Sequence, residues 1–384
     1  MTGMTLVERA TEAPRALVLL SEIYADGGIQ RFNRTFLSAC DRLGATCDVL
    51  SLGDTEEARK RWTEPESAAI RVFARDKVRF ALAVSAALLR GRYDFVIVGH
   101  VNLLVLVAAN LTLNPVNRSR VMLIGHGVDV WTGMDTWVRR RAIRSIDLIL
   151  TVSRYTAEMI KRQIPELSAD RFSVFPNALS ETWAERFAAT EIADSPLIPR
   201  GKPFLLSVAR LDPSERYKGI VSVIEALAML EDTSVHYVVA GRGEDRAFLA
   251  GVAARFGLSD RVHFTGAVSD GELVSLYREC SAFVLPSGKE GFGIVFLEAM
   301  FFGAPIIAAA EKGALDVVRH DETGLLVPYG DTVSLRAAIE RLLGDAALRE
   351  RFREAGRAAV GDDGPFAFRA YVRRLARVLN VIEP

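Results

Sequence analysis

Short apolar runs, each followed by a longer amphipathic stretch, recur through both halves of this chain and constrain its fold more than any other feature. Ala16–Leu20, Cys47–Leu50, Phe95–Val98, Val121–Ile124 and Leu148–Val152 form the series in the first half. Phe204–Val208, Val235–Ala240, Val262–Thr265, Ala282–Leu285 and Pro305–Ala308 continue it in the second. Runs this short and without polar alternation suit strands buried on both faces, and helical patterns between them imply parallel pairing under crossover helices. The expectation is an α/β chain of two Rossmann-like domains.

Length agrees, because 384 residues exceed a typical single core and suffice for two. A polar passage through Pro196, Pro199, Gly201 and Pro203 marks the junction. The predicted boundaries are a first domain over 1–182, a linker over 183–203 and a second domain over 204–365. The amphipathic tail 366–384 is expected to pack back on the first domain.

Bulk charge excludes some partners. Lys plus Arg and Asp plus Glu number 48 each, so no global field draws the chain to nucleic acid. The first half is locally basic, with about nine basic against three acidic residues from Arg59 to Arg92 and about nine against four from Arg118 to Arg162. Those stretches raise a peripheral contact with an anionic membrane. Three cysteines, Cys40, Cys47 and Cys280, form neither a disulfide framework nor a zinc pattern. Met1 to Pro14 lacks the basic-then-apolar layout of a secretory signal. Val101–Leu113 falls short of the roughly 20 apolar residues that span a bilayer. A cytoplasmic protein is expected, at the inner membrane face where the basic stretches make that contact.

The most specific motif follows the run Ala282–Leu285. In Glu290-Gly291-Phe292-Gly293-Ile294-Val295-Phe296-Leu297-Glu298, two glutamates flank a glycine-loosened helix start. Free N–H groups of Gly291, Phe292 and Gly293 suit a phosphate or sugar oxygen. The spacing predicts Glu290 and Glu298 two turns apart on one helix face, one for a sugar and the other for a ribose. Arg210 and Lys218 follow the run Phe204–Val208, and a guanidinium with an ammonium is what a diphosphate needs, both for binding and for departure.

These residues closely resemble the retaining glycosyltransferases of the GT-B fold, whose hallmark is E-x7-E and which are sometimes called family four. The resemblance is clear from about Phe204 to Pro328 and looser from Ala16 to Asn177. It implies two Rossmann-like domains facing across a cleft, a nucleoside diphosphate sugar as donor substrate and no cofactor. It places Arg210 and Lys218 on the diphosphate, Glu298 on the ribose and Glu290 on the sugar. It adds Gly27 and Gly28 beside the donor phosphate, Gly241 and Val268 in the nucleotide pocket, and His126 near the reacting carbon. His126 also ends a strand, where α/β sheets place ligands. His100 ends another and is a candidate for the acceptor side, whereas His263 and His320 read as structural.

Asp26-Gly27-Gly28 is no full dinucleotide fingerprint, which argues against NAD. The chain has no D-x-D, in keeping with metal-independent transfer. The expected activity is retaining transfer of a hexosyl unit to a saccharide or lipid-linked saccharide, as in polysaccharide or lipopolysaccharide assembly. A UDP-sugar is favoured over GDP-mannose. The alternatives are a sugar-nucleotide 2-epimerase, which needs no acceptor, and a silent sugar-nucleotide binding protein, which binds without transfer.

Overall fold

A computed structural model describes residues 13–25, 27–60, 68–113, 119–134, 136–191, 199 and 201–380. Asp26, the opening residues 1–12, the end of the tail and most of the proline-containing junction lie outside them, as do parts of both basic stretches. The chain divides into two compact units, Met1–Ser180 with Phe368–Pro384, and Glu181–Ala367.

Among the described residues the first unit holds seven strands: β1 (Arg15–Leu20), β2 (Thr46–Ser51), β3 (Ala69–Val72), β4 (Phe95–Val98), β5 (Arg120–Gly125), β6 (Leu148–Thr151) and β7 (Phe172–Val174). They pair in parallel in the order β3-β2-β1-β4-β5-β6-β7. The central strands are almost wholly buried, as their apolar runs foretold. On one side the helices Lys77–Arg90, Val101–Leu113, Trp137–Ile143 and Arg154–Gln163 share a core through Phe80, Val84, Leu104, Val107, Ile143 and Ile160. The helix Gly28–Arg42 contacts the C-terminal helix Phe368–Leu379. There the buried Tyr371 ring lies 4.5 Å from Phe175 and 6.2 Å from Phe32. The tail therefore completes the first unit.

The second unit holds β8 (Phe204–Val208), β9 (His236–Ala240), β10 (Val262–Gly266), β11 (Ala282–Leu285), β12 (Ile306–Ala309) and β13 (Gly324–Val327). Their order is β10-β9-β8-β11-β12-β13, again parallel. Ser207 ties the three middle strands from inside, with its hydroxyl 2.7 Å from that of Tyr237 and donating to the carbonyl of Val284.

One sequence expectation differs. The passage read as linker from residue 183 carries the helix Glu181–Ala188, whose Trp183 and Phe187 rings stack 4.5 Å apart and pack against Phe301 and Phe302. Its apolar residues sit four apart on one face, so burial against the second unit outweighs the polar flanks. All three cysteines are buried thiols. Among the described residues no helix is long and apolar enough to cross a membrane.

Tyr371→Ala removes a buried ring shared by several elements and is expected to cost about 3–5 kcal/mol, the usual range for emptying a large aromatic site. Urea denaturation followed by circular dichroism measures it; a loss below about 1 kcal/mol would contradict this packing role.

Candidate functional site

In both sheets the strand order reverses beside the first strand of the unit, between β1 and β4 and between β8 and β11. At such a reversal the two following loops leave in opposite directions and open a crevice at the carboxyl ends of the strands, where α/β sheets bind ligands.

In the second unit the loops after β8 and β11 are joined. The Gly288 N–H donates to the Tyr217 carbonyl at 2.8 Å, and a Cβ on Gly219 would lie 2.6 Å from the Pro286 carbonyl oxygen. This junction brings Lys218 to Glu290. The Lys218 ammonium is pulled below the usual lysine range by burial, with Glu290 acting against that. The Glu290 carboxyl is raised by burial, opposed by Lys218 and by the Gly291 N–H. Each charge moderates the desolvation of the other.

Glu215 belongs to the same cluster and was not singled out from the sequence. One carboxylate oxygen accepts from Arg210 and the other lies 2.8 Å from the Lys218 ammonium. Glu215 is nearly buried, whereas Arg210 keeps 69% of its side chain exposed. The carboxylate thus fixes two cations at a set spacing and leaves the guanidinium edge to solvent. A shallow hollow beside it is lined by Arg210, Asp212, Lys218 and Asp245. Arg216, in contrast, makes a bidentate pair with the buried Asp245 and lies 3.7 Å over the Phe248 ring. It is structural.

The glutamate motif is built differently from the expectation. The helix runs Ile294–Phe302, with Gly293 before it at φ 87°, so Glu290 lies outside the helix and shares no helix face with Glu298. Glycines at 288, 291 and 293 make the entry a loop, held by the Gly313 N–H on the Glu290 carbonyl at 3.0 Å and by Lys312 on the Gly288 carbonyl. Lys312 and Gly313 escaped the sequence reading because their contact spans the sheet edge. Glu298 is buried and accepts from the Tyr277 hydroxyl at 3.2 Å. The Phe292 ring is also buried, edge-on to Phe366.

Gly241 follows β9 at φ 146°, and a Cβ there would sit 1.8 Å from the Ala209 carbonyl oxygen. Only glycine lets the β9 end lie against the loop that begins with Arg210. Val268 is half-buried in the loop after β10.

In the first unit Gly27 precedes the helix that opens at Gly28. Their loop is anchored by Asp54, which accepts from the N–H groups of Ile23 at 2.6 Å and Tyr24 at 3.2 Å. His126 ends β5 and reaches the end of β4, where its Nε2 donates to the Gly99 carbonyl at 2.9 Å. A carbonyl only accepts, so the proton is on Nε2 and Nδ1 carries the lone pair. Burial lowers its pKa, Asp129 opposing and His100 reinforcing the shift. His100 is therefore its neighbour, with Nδ1 accepting from the Asn102 N–H. His263 pairs with His236 at 2.7 Å and His320 accepts from the Leu326 N–H, both within the framework. Among the described residues no group of three or more His, Cys, Asp or Glu is arranged to hold a metal.

The family model for Glycosyltransferase Family 4 matches residues 26–182, and that for Glycosyl transferases group 1 matches residues 189–359. The chain is 30% identical over 259 residues to human alpha-1,3/1,6-mannosyltransferase ALG2, covering 64% of this chain and 61% of the relative. It is 29% identical over 250 residues to a GDP-mannose-dependent alpha-(1-6)-phosphatidylinositol monomannoside mannosyltransferase of Mycobacterium tuberculosis, covering 63% and 60%. The chain thus spans about three-fifths of the length of these curated relatives. The fold matches the crystal structure of Anabaena Alr3699/HepE in complex with UDP and glucose at a TM-score of 0.76 and 19% identity, over 95% of this chain and 99% of that one. That likeness shows a GT-B fold.

Glu215→Gln strips the shared partner from Arg210 and Lys218. The expected loss is about 1–3 kcal/mol, below the 3–5 of a fully buried pair because Arg210 reaches water. Thermal melts test this, and inorganic pyrophosphate, which meets the same cations, should narrow the gap to wild type.

Proposed function

We propose, for a chain that belongs to the GT-B glycosyltransferases of the family 4 and group 1 type, that it moves a hexosyl unit from a nucleoside diphosphate sugar to a saccharide or lipid-linked saccharide. The observation that carries this reading is the joining of the β8 and β11 loops, which puts Arg210, Lys218 and Glu290 in one cluster inside the second unit.

The chemistry follows from those charges. Arg210 offers parallel N–H donors to the diphosphate and Lys218 a point charge, so both meet the oxygens that gain charge as the bond to the sugar breaks. Glu290 accepts from sugar hydroxyls, and Glu298 from the ribose once Tyr277 shares or yields its bond. His126 and the Gly27-Gly28 turn belong to the first unit, where they follow β5 and β1.

Retention is assigned to same-face attack: the acceptor oxygen bonds to the anomeric carbon as the bond to the phosphate oxygen breaks, and the departing diphosphate takes the acceptor's proton. No metal is required in this scheme, since two cations already face the leaving group. A UDP-sugar is the favoured donor. GDP-mannose is the second reading, favoured by the mannosyltransferases among the relatives. Action at the cytoplasmic membrane face in glycan assembly completes the proposal.

Titration with UDP, GDP, ADP and NAD tests it, because a ligand of the folded state raises the melting temperature. A shift with UDP or GDP supports the reading, and no shift with any nucleoside diphosphate overturns it. Arg210→Ala removes a charged hydrogen bond worth about 1.5–3 kcal/mol, so Kd for the responding nucleotide should rise roughly 10- to 150-fold.

The raised pKa of Glu290 gives a pH signature. If its ionised form binds the sugar, turnover falls on acidification at a higher pH than an ordinary carboxylate would give. The stability sign is opposite: a raised folded pKa stabilises the fold at low pH, and that contribution is lost as pH rises through it. Glu290→Gln should therefore cut turnover by more than about tenfold without lowering Tm at neutral pH. Unchanged turnover removes Glu290 from the site.

A further inference from the structure

The helix Lys77–Arg90 is apolar on both faces. Inward it buries Phe80, Val84 and Leu88 in the core of the first unit. Outward, Val78, Leu82 and Leu89 remain 70%, 66% and 63% exposed. Residues 78, 82, 85 and 89 follow the helical repeat, so the three side chains, with Ser85 between them, form one stripe. Single exposed leucines are ordinary, but an aligned row on one helix is not.

The surroundings of the stripe are basic. Lys77, Arg79 and Arg90 lie on the same helix and Arg92 just beyond it, all exposed, and residues 77–90 include no acid. Asp76 is occupied as the cap, accepting from the N–H groups of Val78 and Arg79. On the same side of the sheet, the helix Val101–Leu113 packs against this helix and against Trp137–Ile143. That last helix opens with Trp137, which is 78% exposed. An indole prefers the boundary between headgroups and acyl chains.

We propose that this outer face docks on an anionic lipid surface, Val78, Leu82 and Leu89 entering the acyl boundary and the cations meeting the headgroups. Charge complementarity selects the occupant: an apolar stripe with basic flanks and no acid matches a negative bilayer interface. A second copy of the same face would set these cations against one another. The inference deepens the membrane-face part of the function proposed above, yet needs no catalytic step to be tested.

The test is co-sedimentation of the full chain with vesicles of phosphatidylcholine alone or with phosphatidylglycerol, at low and high salt. Binding is expected only with phosphatidylglycerol and weakens with salt. L82D/L89D abolishes it, and K77E/R79E reduces it at least about 25-fold, from roughly fivefold for each lost charge. Circular dichroism and the nucleotide-induced Tm shift check that the variants fold. Equal binding to neutral vesicles, no binding, or variants that bind like wild type overturn the proposal. So does a concentration-dependent dimer in light scattering that L82D/L89D dissolves, since the stripe is then a contact between copies. Vesicle binding without any nucleotide response would sink the assigned function and leave this surface standing.

Discussion

Parallel strands cannot be joined by a tight turn. Each connection must cross back over a face of the sheet, usually as a helix, so all the carboxyl ends collect along one edge. Both units obey this constraint, and most candidate groups sit on that edge, Glu298 in its helix excepted: His100 and His126 after β4 and β5, Arg210 to Lys218 after β8, and Glu290 after β11. The strand order then selects among the loops. Only beside β8 and β11 does it reverse in the second unit, so the cations and the carboxylate are brought together by topology and not by neighbouring positions in the chain.

Within that edge the electrostatics are balanced by enclosure. Glu215 takes one cation on each oxygen, and Lys218 in turn faces Glu290. A buried lysine beside two carboxylates is tolerable because each unfavourable desolvation is offset by a near neighbour of opposite sign. The cluster carries two positive and two negative charges, which fits a loop set that must remain folded when empty. An arriving diphosphate shifts this balance, since Arg210 can turn its exposed edge to phosphate while Glu215 still holds the other.

Much of the architecture was legible in the sequence because central strands of a doubly covered sheet must be apolar throughout. Phe95–Val98, Phe204–Val208 and Ala282–Leu285 appear with the bounds read from their hydrophobicity. The unread strands, β3, β7 and β13, are three of the four outer ones: Ala69–Val72 contains Arg71, Phe172–Val174 is three residues long, and Gly324–Val327 begins with glycine. Edge strands are half-covered and carry less signal. Arg210, Lys218 and Glu290 were readable from residue type and spacing, since the resemblance runs through them. Glu215 was visible in the same segment, but nothing in a linear pattern says that a carboxylate turns back on both neighbouring cations.

Glycine shows most clearly where linear reading stops. The resemblance puts Gly241 in a nucleotide pocket, yet its left-handed backbone and its approach to the Ala209 carbonyl already require the absence of a side chain. The Ala209 N–H bonds to the Ala240 carbonyl and Gly241 N–H to that of Gly266, so the loops after β8, β9 and β10 are locked together at this point. Arg210 is the next residue along. A side chain at 241 would displace the guanidinium through the protein's own backbone, whether or not a ligand ever touched that glycine. A glycine in a binding loop can thus be essential for reasons internal to the fold, and its effect on ligand binding then arrives through the cation it positions.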